Sequence, residues 1–101
     1  MRRKLSTEES LRRYIEGRKL WNAFDPIGVA DAVDDEYEFY ITPSLRLVSE
    51  GKGVEEVEAY VQWVVHDRMG FDRTEEGDEA NHAFAKKFVE WYLASWPGTE
   101  V

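Results

Sequence analysis

Glu75-Glu76-x-x-Glu79 sets three carboxylates within one helical turn of each other. Residues three and four apart share a helix face. Carboxylates so placed could hold Mg²⁺ between them, and the metal could then organise a phosphate and an attacking water. The ordinary reading of the same residues is an acidic helix start, which the helix dipole favours. Gly77 lies inside the motif and weakens a helix running through it. His66 and His82 are the two histidines of the chain. On separate helices they could take a metal with Asp67, Asp72, Asp78 or Glu79 nearby. No His-x-x-x-His or His-Glu-x-x-His pattern supports that, and neither histidine sits beside a serine as in a nucleophile pair. Surface or edge histidines are therefore expected, with no catalytic residue, metal or cofactor.

A second kind of chemistry is recognition. Asp31, Asp34, Asp35, Glu36 and Glu38 form the densest negative stretch, interleaved with Tyr37, Phe39 and Tyr40. Acidic and aromatic side chains together suit capture of an arginine- or lysine-rich protein surface, through charge pairing and stacking. The plainer alternative is a solvated helix start with its tyrosines turned inward. Before this run stands Asp25-Pro26-Ile27-Gly28-Val29. Proline fixes φ and disfavours helix at Asp25, and the Asp25 side chain suits an Asx-turn. The stretch is expected to be a rigid, partly buried corner.

The 101 residues predict one domain, with residues 1–5 flexible and 97–101 a tail. With 43% hydrophobic and 34% charged residues, a globular core is expected and disorder is not. No cysteine is present, which excludes disulfides, thiolate zinc sites and a cysteine nucleophile. No apolar run approaches the roughly 18 residues of a membrane span, and no signal-peptide core follows the basic start, so a cytoplasmic location is expected. The net charge of −8 argues against nucleic acid as a partner. The basic residues concentrate early, at Arg2, Arg3, Lys4, Arg12, Arg13, Arg18 and Lys19.

Four helices can position these groups. Ser6-x-x-Glu9 has the spacing of a capping box, and Leu11, Tyr14, Ile15, Leu20 and Trp21 follow as the apolar face of a helix over about 7–23. Tyr37, Tyr40, Ile41, Leu45 and Val48 predict a second helix over about 34–50. It is kinked at Pro43, or split there with Thr42 as a cap, and Gly51 and Gly53 end it. Val54, Val57, Val61, Val64, Val65 and Met69 repeat at three and four, not two, so a helix is expected despite the valines. Gly70 closes that helix, with Phe71 folding back on it. After a polar loop over 72–77, Ala80, Phe84, Phe88, Trp91 and Tyr92 mark the fourth helix, over about 78–95. The fold expected is all-α, a small bundle of four main helices.

Two resemblances bear on function. Trp21-Asn22-Ala23-Phe24-Asp25-Pro26-Ile27-Gly28-Val29, then Asp35-Glu36-Tyr37-x-x-Tyr40 and Pro43, resembles the shared pattern of small bacterial helical proteins that include the YugE-like group. Arg68-Met69-Gly70-Phe71 looks like their helix-closing step, so the likeness spans about residues 20–72. The chain departs from the pattern by Ala23-Phe24 before Asp25 and by Glu38-Phe39. The resemblance implies a helical bundle and brings no activity and no site. Separately, Glu75-Glu76-x-x-Glu79 is similar to the Glu-Glu-x-x-Glu of MazG-type nucleotide pyrophosphohydrolases. That family adds a downstream Glu-x-x-Asp, whereas the acidic residues after Glu79 are Glu90 and Glu100.

The function expected is a non-enzymatic protein-binding module. Its concrete form is an immunity- or antitoxin-like inhibitor of a basic partner such as a toxin nuclease. The binding face is expected at Asp31, Asp34, Asp35, Glu36, Tyr37, Glu38 and Tyr40. The alternatives are a metal-dependent phosphohydrolase using Glu75, Glu76 and Glu79, and a homo-oligomeric structural protein.

Overall fold

The computed structural model describes residues 3–4, 6–24, 38–96 and 99–100, with side chains for 6–24 and 39–96. Four α-helices follow in order: α1 (Thr7–Phe24), α2 (Glu38–Ser49), α3 (Val54–Trp63) and α4 (Glu75–Ser95). A π-helical turn, Val64–Arg68, continues α3. The chain ends add a minimal parallel pairing of β1 (Arg3–Lys4) with β2 (Thr99–Glu100), Arg3 opposite Thr99. The fold is all-α, and among the described residues no helix is long and apolar enough to cross a membrane.

The first cap forms as its residue types dictate. The Ser6 amide donates to Glu9 Oε1 at 3.0 Å, and the Glu9 amide donates to Ser6 Oγ at 3.1 Å. The face that α1 buries is the expected one in part: Trp21 is buried and Tyr14 and Leu20 pack against the core. Leu11 is 61% exposed and Ile15 is 44% exposed, while Arg13, Gly17 and Trp21, spaced by four, are buried. Gly17 lies where α1 meets both α2 and α4: a Cβ there would sit 3.4 Å from Leu45 and 3.6 Å from Trp91, which are contact distances.

Pro43 stands inside α2, which runs through it as one helix rather than as two short ones meeting. Residues 34–37, expected in its first turn, lie outside the described residues. At its end the Gly51 amide donates to the Val48 carbonyl and the Lys52 amide to the Leu47 carbonyl, with Gly51 at φ +85°. This is the glycine cap that the left-handed position requires. Gly53 does not end α2. It precedes α3, where its amide donates to Glu56 Oε2 at 3.0 Å.

The π turn carries a bond from the Met69 amide to the Val64 carbonyl, five residues back. Gly70, at φ +77°, then reverses the chain, and the Phe71 amide donates to the Val65 carbonyl at 3.1 Å. α4 begins three residues before the expected start. Thr74 Oγ1 accepts the Gly77 amide at 2.9 Å, and Glu75, Glu76 and Asp78 fill the first turn.

The buried apolar residues come from all four helices. Trp21 meets Ile41 and Leu45 of α2, Val57 and Val61 of α3, and Phe84 and Phe88 of α4 in one cluster. α3 packs most extensively on α4. Phe24 stacks on Phe84 with ring centres 4.3 Å apart and planes at 7°. Full burial of a side chain such as Phe88 contributes about 1.5–3 kcal/mol. Trp96 is also buried, and Trp91 is half-buried with its indole N–H donating to Glu16 Oε1 at 2.9 Å.

Candidate functional site

α2 and α3 are held side by side by a polar contact. The Tyr60 hydroxyl donates to the Tyr40 backbone carbonyl at 3.1 Å. Burial pushes the Tyr60 phenol up to about 12, with the nearby Tyr40 phenol adding to the shift. On the outer side of this contact the two helices leave an open groove of about 420 Å³. Phe39, Tyr40 and Pro43 of α2 form one wall. Tyr60 and Trp63 of α3 form the other, and Arg68 of the π turn closes one end.

The groove has the marks of a contact surface. Phe39 is 88% exposed and Trp63 46%, although both are large apolar side chains. Pro43 has no N–H to give the Phe39 carbonyl, so the ladder of α2 lacks one bond beside the groove. The Arg68 guanidinium lies 5.8 Å from the Trp63 ring centre, which orders both side chains. The Tyr60 and Trp63 rings are 6.0 Å apart at 31°. An apolar body with phenol and indole polar tips suits a protein or peptide ligand.

Of the residues expected in a binding face, Tyr40 alone has a described side chain. It is half-buried, packs against the core and lines the groove. Glu38 opens α2, and its side chain is outside the described residues. Asp31, Asp34, Asp35, Glu36 and Tyr37 lie wholly outside them, as does the segment 25–33.

Glu75, Glu76 and Glu79 are exposed along the start of α4. Among the described residues no three His, Asp or Glu side chains converge to hold a metal ion. The histidines are engaged separately. His82 Nδ1 lies 2.5 Å from Glu58 Oε1. His66 Nδ1 faces the Phe71 carbonyl oxygen at 2.8 Å and its Nε2 faces Gln62 Oε1 at 2.7 Å. The same Gln62 oxygen accepts from Asn81 Nδ2 at 3.0 Å. A hydrogen bond from Arg73, at 3.1 Å, holds the neighbouring Asp78 carboxyl below its usual range against some desolvation. This network ties the π turn to α4.

In the sequence Tyr60 and Trp63 flank the apolar stripe of the third helix, and Phe39 stands among acids. What it does not carry is that the two helices place them face to face. The chain matches no protein-family model, no curated protein and no solved structure.

Proposed function

We propose that the chain is a small non-enzymatic protein-binding module whose aromatic groove, Phe39, Tyr40, Pro43, Tyr60 and Trp63, anchors a partner with a basic surface. The observation that carries this reading is the exposure of Phe39 and Trp63 on facing helices, with Phe39 directly after the acidic run 31–38 in the chain. Aromatic anchors supply the desolvated centre of an interface. Carboxylates beside them set charge complementarity and association rate. The net charge of −8 favours a cationic partner over an acidic one. In its concrete form the module is an immunity- or antitoxin-like inhibitor that covers the active site of a basic protein such as a nuclease.

The test is recovery of tagged protein from its host at low and moderate salt, beside two variants. One is Phe39→Ala with Trp63→Ala, and the other is Asp34→Asn, Asp35→Asn, Glu36→Gln. A stoichiometric basic partner is expected with the native chain. Its dissociation should quicken at least about tenfold in the aromatic variant, and its association should slow in the neutralised one. A partner held equally well by all three proteins removes this reading. Recovery of the chain alone, with a dimeric mass that Phe39→Ala reduces to a monomer, replaces the partner by a second copy.

A further inference from the structure

α1 carries a charge that partner binding at the groove does not use. Arg13 is 6% exposed, and its Nε and Nη1 are buried with no hydrogen-bond partner among the described residues. The guanidinium carbon lies 6.0 Å from the Tyr92 ring centre. Such a contact offsets only part of the hydration that a buried cation gives up. Buried polar groups are almost always satisfied. Two unpaired donors on a permanently charged side chain therefore mark a place where an acceptor belongs.

Arg13 lines a cleft of about 120 Å³ between α1 and α2. The other lining residues are Ser10, Tyr14, Thr42, Leu45 and Arg46. Arg46 is exposed, and its side chain makes no ion pair or hydrogen bond among the described residues. Among the described residues no carboxylate lines the cleft. Two other arginines are paired, Arg12 with Glu16 at 3.3 Å and Arg73 with Asp78 at 3.1 Å. A water molecule in the cleft would leave the charges of its two lining arginines, Arg13 and Arg46, uncompensated. An anion answers both the hydrogen bonds and the charge.

We propose that this cleft binds a compact oxyanion, a carboxylate or phosphate group. Arg13 is its buried anchor, Arg46 its clamp at the rim, and the Ser10 and Thr42 hydroxyls are further donors. The guanidinium fork matches the paired oxygens of both groups. A cleft of about 120 Å³ exceeds the roughly 10–15 Å³ that one water needs, and gives room for one such group.

The test is a titration of the ¹⁵N-labelled full chain with sodium phosphate, sodium acetate and sodium chloride at constant ionic strength. The arginine Nε–H and cleft amide signals are followed by NMR. A saturable shift is expected with phosphate or acetate and not with chloride. Saturation by phosphate alone assigns a free or esterified phosphate. Saturation by acetate, with or without phosphate, assigns a carboxylate such as a partner's acidic side chain. Arg46→Gln alters an exposed residue and should weaken the midpoint at least about tenfold. Arg13→Lys, which keeps the charge and loses the fork, should do the same. No saturable shift with either anion, or an unchanged midpoint in Arg46→Gln, overturns the proposal.

Discussion

The Trp21 indole N–H donates to Ser44 Oγ at 3.0 Å, and the Ser44 hydroxyl donates in turn to the Ile41 carbonyl at 2.6 Å. Trp21, Ser44 and Ile41 are all buried, so this relay joins α1 to α2 in the centre of the bundle. It also explains why a serine occupies a core position: one oxygen serves the indole and its proton serves a backbone carbonyl. Ser44→Ala leaves the indole without this acceptor and should cost about 1–3 kcal/mol in urea unfolding. In a Trp21→Phe background there is no N–H to satisfy, and the same change should cost about 1 kcal/mol less. Equal costs in both backgrounds would show that the bond contributes nothing.

Thr74 and Gly77 form a second dependent pair. A Cβ on Gly77 would stand 2.9 Å from Thr74 Oγ1, the atom that caps the Gly77 amide. Thr74→Ala should cost about 1 kcal/mol, as the loss of an N-cap does. Gly77→Ala alone should gain little, because the methyl group displaces the cap while alanine improves the helix. Once Thr74 is alanine, Gly77→Ala should stabilise by up to about 1 kcal/mol. Thermal unfolding of the four proteins reads this out. Full stabilisation by Gly77→Ala with Thr74 intact would mean that the cap tolerates the Cβ.

These two pairs show where a sequence stops being legible. The Ser6 and Glu9 cap is local, and so is the glycine stop at Gly70. Each is set by residues three to six apart, and each forms as its spacing implies. On α1, counting apolar residues finds Trp21, Tyr14 and Leu20 but not which other residues share their face. Leu11 and Ile15 lie outward, while Gly17, which has no side chain, is buried against α2 and α4. Arg13 is charged, which favours an exposed position, yet α2 and α4 enclose it. Apolar periodicity starts α4 at about 78, three residues late, because the Thr74 cap and the first turn after it are polar. The π turn has no composition of its own. As for the candidate site, periodicity assigns Tyr60 and Trp63 to a helix flank. Whether Phe39 and Pro43 stand opposite them depends on how two helices cross, which periodicity does not encode.

Gln62 supports two elements at once, accepting from Asn81 Nδ2 and facing His66 Nε2 through one oxygen. Asn81 is buried, so its amide has no solvent to turn to when that oxygen is removed. Gln62→Leu should destabilise the fold by about 1–3 kcal/mol. Hydrogen exchange should rise first in the π turn, since the network is what fastens that turn to α4. Uniform exchange across all helices would place the loss elsewhere.

Tyr60 makes stability depend on alkaline pH. Its folded phenol titrates at about 12 against 10.0 for an unperturbed tyrosine. The folded state therefore holds this proton more tightly than the unfolded chain does. The stability it contributes is fully present below pH 10 and is lost as pH rises through about 12, because the unfolded chain ionises first. Urea midpoints of the native chain should fall between these limits more steeply than those of Tyr60→Phe, which has no such proton. Lysine and arginine ionisation is common to both proteins and cancels in the comparison. Parallel midpoints would mean that the phenol is hydrated in the folded protein. The groove between α2 and α3 would then lack the Tyr60–Tyr40 contact that sets its floor.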